Sequence, residues 1–88
     1  MKIKEGFVLR RVLDEAIVIA SGDASKNFHG MIKLNDSAAD IWEWVAGGCD
    51  ETTIASKLSE KYELDTEKAI ADVKSMISQM VDAGLIEL

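Results

Sequence analysis

The first third of the chain contains short apolar runs that are rich in β-branched residues. Runs at 7–13 and 16–20 are separated by Asp14 and Glu15, which predicts a β-hairpin with its turn at these two polar residues. A third run, 28–34, alternates with period two. The alternation places Phe28, Gly30, Ile32 and Leu34 on one face of the predicted strand, and His29, Met31 and Lys33 on the other. We therefore predict three strands within about residues 7–34.

From Asn35 onward the apolar spacing becomes helical and predicts three helices within about residues 36–83. Asn35, Asp50 and Asp65 are the predicted N-caps, and the pair Gly47–Gly48 and the single Gly84 are predicted to end the first and third helices. The predicted inner faces are Ala38, Ile41, Trp42, Trp44 and Val45; Ile54, Ala55, Leu58 and Tyr62; and Ala69, Ile70, Val73, Met76, Ile77, Met80 and Val81. Strands followed by helices indicate a single α+β domain over residues 1–88.

Charge and residue usage exclude several classes of function. The 88 residues carry a net charge of −6, which disfavours nucleic acid and anionic membranes as partners. One cysteine and one histidine cannot form an intramolecular disulfide or a Cys/His zinc cage. The sequence has neither a membrane-spanning apolar run nor the apolar core of a signal peptide, so we expect a cytoplasmic protein.

The charge is divided unevenly along the chain. Residues 1–35 have six cations and four anions, whereas residues 36–88 have four cations and twelve anions. No catalytic motif accompanies these charges: Gly47–Gly48 fits a helix end better than a phosphate loop, and Cys49 has no evident base beside it. We expect neither catalysis nor a cofactor.

The third predicted strand is the first candidate for binding. A strand at the edge of a sheet exposes unpaired backbone groups, and this strand has only Lys33 as a charged residue to protect it. Gly30 would allow another backbone to approach closely. From the residues alone, two interpretations stay open: a peptide adds to this edge as a further strand, or the apolar C-terminal tail, residues 85–88, covers it. That tail is predicted to add a small strand or to close the core.

Methionine usage is the second candidate. Met76 and Met80 lie one turn apart on the third predicted helix, and Met31 lies on the third strand. Methionine side chains fill irregular gaps in cores and also line surfaces that accept varied apolar partners. Met76 falls at the margin of its helix's apolar arc, near Asp72 and Gln79, where it would line a groove.

The segment 34–45, LNDSAADIWEWV, resembles the LN-x-x-A/G-x-x-I-W pattern of PqqD-like proteins. Trp44 stands where that family more often has an aliphatic residue, and this exchange keeps the position apolar. The agreement extends along the chain through Gly47–Gly48, Glu60-Lys61-Tyr62, Asp65, Ala71-Asp72-Val73 and Leu85-Ile86.

The resemblance implies a small winged helix-turn-helix fold, with a three-stranded antiparallel sheet followed by three helices. It also implies a recognition element for ribosomally made precursor peptides, whose leader segment would add beside the third strand, in the cleft facing the third helix. Such a protein presents the precursor to a modifying enzyme, often a radical SAM protein, and does no chemistry itself.

Contacts with the peptide are then expected from seven residues: His29, Gly30, Met31, Lys33, Asp72, Met76 and Gln79. Lys33 would pair with a leader carboxylate and Asp72 with a leader lysine or arginine, which would set register and on-rate more than affinity. Five nearby residues are assigned to the core instead: Phe28, Ile32, Leu34, Trp42 and Val73.

Two other functions compete with this interpretation. Asp36-Ser37-Ala38 at a helix start looks like the Asp-Ser-Leu of acyl carrier proteins, in which the serine bears phosphopantetheine. The predicted strands before it disagree with that family. A winged helix also permits DNA binding, but the third helix sets only Lys68 and Lys74 against three carboxylates and has no arginine.

Overall fold

Three strands, Phe7–Val12, Glu15–Ala20 and Met31–Leu34, form an antiparallel sheet in that order, and a smaller sheet pairs Lys2–Ile3 with Ile86–Glu87. A computed structural model of the chain describes residues 1–22 and 31–88. Its elements are β1 (Lys2–Ile3), β2 (Phe7–Val12), β3 (Glu15–Ala20), β4 (Met31–Leu34), α1 (Asp36–Ala46), α2 (Glu51–Tyr62), α3 (Thr66–Asp82) and β5 (Ile86–Glu87). The predicted α+β class, with a three-stranded antiparallel sheet and three helices, is confirmed. The part of the third strand predicted at residues 28–30 lies outside the described residues.

The β2–β3 hairpin turns one residue earlier than the sequence predicts. Val12 lies opposite Glu15, so the turn is Leu13–Asp14 and Glu15 begins β3. Leu13 has a φ of 57°, a left-handed conformation that leucine seldom adopts. Its side chain is 96% exposed. The prediction was wrong because an apolar Leu13 continues the strand pattern, although nothing packs on it.

Side-chain caps begin two of the helices as predicted. Asn35 Oδ1 accepts the Ala38 N–H at 2.9 Å, and Asp50 Oδ1 accepts the Thr53 N–H at 2.8 Å. Asp65 occupies the N-cap position of α3, but its side chain makes no capping hydrogen bond. The predicted glycine ends are also present, with positive φ at Gly48 and Gly84.

The core lies between the helices and the inner face of the sheet. Predicted core residues Trp42 and Val73 are buried, whereas Ile70, predicted to face inward, is 40% exposed. Ile70 instead lines a shallow cavity of about 380 Å³ between α2 and α3. The tail does both things predicted of it: Leu85 and Ile86 are buried, and β5 pairs with β1.

A polar network anchors the sheet to α1 and α2. Asp40, the one buried charged residue in the part of the chain that the structure describes, accepts a hydrogen bond from the Tyr62 hydroxyl at 2.5 Å. Lys61 Nζ lies 2.8 Å from its carboxylate, and the Arg11 guanidinium on β2 lies 3.8 Å away. Arg11 also pairs with Glu43 at 2.9 Å.

This network changes the pKa of two side chains, Asp40 and Tyr62. Burial alone would raise the pKa of Asp40, but hydrogen bonds from Lys61 and Tyr62 and the positive charges of Lys61 and Arg11 outweigh it and lower that pKa below its usual value. The hydrogen bond to Asp40 is the main reason that the pKa of Tyr62 rises to about 12. Both directions share one physical cause, since Lys61 and Tyr62 donate to the ionised carboxylate of Asp40.

We predict that Asp40→Asn lowers the free energy of unfolding at neutral pH by about 1–2 kcal/mol, because the amide keeps the shape but loses the charge that faces Lys61 and Arg11. The folded pKa is depressed, so this contribution is present above the unfolded value of 3.8 and is lost as the pH falls below it. Urea denaturation should therefore show that the unfolding free energies of the wild-type protein and of Asp40→Asn become equal in acid. Asp82→Asn, at an exposed carboxylate, is the control. A constant difference from pH 7 to pH 2 would contradict the assignment.

Candidate functional site

Strand β4 has an open edge. It pairs with β3 on one side, and no described residue pairs with its other side. The C-terminal strand β5 pairs with β1 instead, in the register Lys2 to Glu87 and Ile3 to Ile86. Of the two interpretations that the sequence leaves open, the structure excludes coverage of this edge by the tail.

The β2–β3 hairpin fixes which backbone groups each strand turns outward. In an antiparallel ladder, opposite residues alternate between hydrogen-bonded and non-hydrogen-bonded pairs, and a two-residue turn is flanked by a bonded pair. Val12 and Glu15 are that pair. The Ser21 N–H donates to the Gly6 carbonyl at 2.7 Å, which is the bonded pair that the same alternation requires at the other end of the hairpin. Odd-numbered residues of β3 therefore turn their backbone groups toward β2, and even-numbered residues turn theirs toward β4.

The same alternation continues across β4. Ile32 and Leu34 lie opposite even-numbered residues of β3, so their backbone groups are used in the ladder. Met31 and Lys33 lie opposite odd-numbered residues, and their N–H and C=O groups point to the open edge. This edge thus presents two donors and two acceptors in the spacing that another strand requires.

A groove of about 320 Å³, which we call the β4 groove, runs between β4 and α3. Its lining is Ile32, Lys33, Leu34, Asn35, Ala38, Met76, Gln79, Met80, Ala83 and Leu85. Ala38, Met80 and Leu85 are buried and form its base, and Ile32, Leu34 and Met76 are half-buried at its sides. An apolar side chain entering this groove would bury surface against all six.

Three predicted site residues meet at the β4 groove. Lys33, Met76 and Gln79 all line it. Lys33 Nζ pairs with Glu15 at 2.8 Å, and Gln79 Nε2 donates to Ser75 Oγ at 3.3 Å, and both contacts are exposed. The predicted contacts His29 and Gly30 lie outside the described residues.

Other predicted residues lie elsewhere. Met31 is not in the lining, and its side chain is 70% exposed on the outer face of the sheet. Ile32 and Leu34, assigned to the core, pack against it but also line the groove. Ile32 and Leu34 contact both the core and the groove because the period-two pattern puts them on one face of β4, and that face is also turned to α3.

Asp72 lies in a second groove beside the first. This groove, which we call the acidic groove, has a volume of about 490 Å³. It is lined by Asn35, Asp36, Ser37, Ile41, Leu58, Tyr62, Leu64, Asp72, Ser75 and Met76. Within it, the Asp72 carboxylate is 3.5 Å from Lys68 Nζ, one helical turn away.

Comparison with known proteins identifies the family. The profile of the family described as coenzyme PQQ synthesis protein D (PqqD) matches residues 15–86. The chain belongs to the PqqD family. This confirms the resemblance found in its sequence, although no curated protein matches it.

Two solved structures share the PqqD fold of this chain. One is TbiB1 in complex with the TbiA(beta) leader peptide, with a TM-score of 0.82 and 18% identity over 99% of this chain and 95% of that chain. The other is lasso peptide synthetase B1 complexed with the leader peptide, with a TM-score of 0.78 and 17% identity over 96% of this chain and 93% of that one.

The residues that carry the PqqD pattern build the junction between β4 and α1. Leu34 ends the strand, and Asn35 caps the helix. Ile41 and Trp42 are 1% and 3% exposed, so they anchor α1 in the core. The most specific motif of the sequence therefore fixes where the open edge lies. Its residues also line the two grooves, since Leu34 and Ala38 line the β4 groove and Ile41 lines the acidic groove.

The alternative sites are not favoured by this fold. Ser37, the candidate carrier serine, is half-buried in the first turn of α1, and its hydroxyl is 3.2 Å from Asn35 Oδ1. It follows a strand rather than the helix of an acyl carrier protein. On α3, the two lysines are outnumbered by three carboxylates, which leaves no net positive surface for a phosphate backbone.

Amide hydrogen exchange tests the alternation of β4 in the free PqqD-family protein. We predict that the amides of Met31 and Lys33 exchange more than about tenfold faster than those of Ile32 and Leu34, because only the latter donate to β3. Exchange followed by NMR resolves each amide. Equal protection of all four would contradict an open edge.

Proposed function

We propose that this chain is a non-catalytic adaptor that binds the leader segment of a ribosomally made precursor peptide. The leader adds as a fourth strand to β4 and occupies the β4 groove. The observation that carries this proposal is the open edge, where Met31 and Lys33 present backbone donors and acceptors beside an apolar groove. Membership of the PqqD family and the leader-peptide complexes of two structures with this fold support it.

Backbone and side chains would contribute differently to recognition of the peptide. Hydrogen bonds to the β4 edge supply affinity for any extended segment, and the groove selects alternate apolar side chains. On this proposal Met31 and Lys33 contact the peptide through both backbone and side chain, whereas Met76 and Gln79 contact it from α3. His29 and Gly30, which lie outside the described residues, stay predicted contacts of the peptide.

The groove suits binding better than chemistry. Its described lining has one cation, Lys33, and two amides, Asn35 and Gln79, among apolar side chains. We propose that the chain presents the bound precursor to a separate modifying enzyme, for which a radical SAM protein is our specific expectation, and that this occurs in the cytoplasm without a cofactor, nucleic acid or membrane as partner. For the described residues, no helix has the length and apolar character needed to cross a bilayer.

Met31→Pro tests strand addition. Proline removes the outward N–H of Met31 and leaves the β3 ladder intact, since that N–H does not take part in it. We predict that affinity for a precursor peptide encoded beside the gene falls about tenfold or more, from the lost hydrogen bond and the bulk of the ring at the edge. Fluorescence anisotropy with a labelled leader peptide measures it.

Met31→Ala is the matched control, because it shortens the same side chain and keeps the N–H. It should retain most of the affinity, and both variants should keep the wild-type circular dichroism spectrum. A folded Met31→Pro variant that binds as tightly as Met31→Ala would exclude pairing at this edge.

A further inference from the structure

The β4 groove and the acidic groove are adjacent. Both are lined by Asn35 and Met76, so the second begins where the first ends, beyond Leu34 at the end of β4. A peptide paired with β4 that continues past Leu34 therefore enters the acidic groove. There it no longer has a strand beside it, and only side chains and helix ends are available for contact.

The two grooves differ in charge. The lining of the β4 groove has no carboxylate, and its one cation, Lys33, already pairs with Glu15 at 2.8 Å. The lining of the acidic groove includes Asp36 and Asp72 and no lysine or arginine. The rest of the acidic groove includes four apolar side chains: Ile41, Leu58, Leu64 and Met76.

Both carboxylates are available to a ligand. The Lys68–Asp72 pair is well exposed and spans 3.5 Å, so it contributes little to stability and exchanges readily for another cation. No described residue forms an ion pair with Asp36. The charge of Asp36 also raises the pKa of Tyr62 across the groove, in addition to the larger effects of Asp40 and of burial.

We infer that the acidic groove binds a lysine or arginine side chain of the same peptide that pairs with β4. Its methylene groups lie along Met76 and Leu64, and its cation pairs with Asp36 and Asp72. This inference rests on the proposed function. It adds a direction to recognition: the basic residue must occupy the end of the bound segment that lies beyond Leu34, because Asp36 and Asp72 line the acidic groove and not the β4 groove.

A random 12-residue peptide library displayed on its encoding RNA tests this without knowledge of the natural precursor. We expect selection on the wild-type protein to enrich segments of alternating apolar residues with lysine or arginine near one end. The tightest peptide is then measured by fluorescence anisotropy against Asp36→Asn and Asp72→Asn. Each should weaken binding about two- to fivefold, and less as salt is raised. Asp82→Asn, an exposed carboxylate of α3 outside both grooves, should leave affinity unchanged.

A double-mutant cycle assigns the contact. Replacing the peptide's basic residue by norleucine should weaken binding to the wild-type protein but not further weaken binding to the Asp36→Asn/Asp72→Asn double variant. Additive losses, or selected peptides without a basic preference, overturn the inference. If peptides selected without a basic preference still perturb the NMR signals of Met31 and Lys33, the inference about the acidic groove fails and the proposed strand addition stands. If no selected peptide perturbs them, both proposals fail.

Discussion

The unpaired backbone of one edge strand is the constraint on which the structure depends. A strand that pairs on only one side leaves every second residue with an N–H and a C=O that must meet water or another chain. In β4 these residues are Met31 and Lys33. The two-residue turn at Leu13–Asp14 determines which residues of β4 face outward, because it fixes the alternation of hydrogen bonds across the sheet. Because the tail pairs with β1 instead, nothing within the described chain satisfies this edge.

Local patterns predicted most of the fold. Asn35 and Asp50 could be recognised as caps because capping depends on a few neighbouring residues, and the periods of two and 3.6 separated strands from helices. A short strand in the tail was predicted, but its pairing with β1 was not, because two-residue strands have no measurable period and the two partners lie far apart in the chain. Ile70 was placed inside because it lies on the apolar arc of α3, but α2 leaves it partly uncovered.

The candidate site was predicted in outline and not in detail. Period two correctly separated Ile32 from Lys33, but it could not show that the inner face of β4 serves both the core and a groove. Met76 was found because it lies at the margin of its helix's apolar arc. Asp72 was expected beside the strand, yet it lies in a separate groove lined by α1, α2 and α3, a relation between distant segments that no local pattern contains.

The most direct test of the account is to detect the backbone hydrogen bonds between peptide and protein. Scalar couplings across hydrogen bonds, measured by NMR on an isotope-labelled complex with a leader peptide, identify each donor and acceptor. We predict such couplings between the peptide and both Met31 and Lys33, with those of Ile32 and Leu34 still directed to β3. A bound peptide that contacts α3 side chains while the amides of Met31 and Lys33 remain exposed to solvent would contradict it.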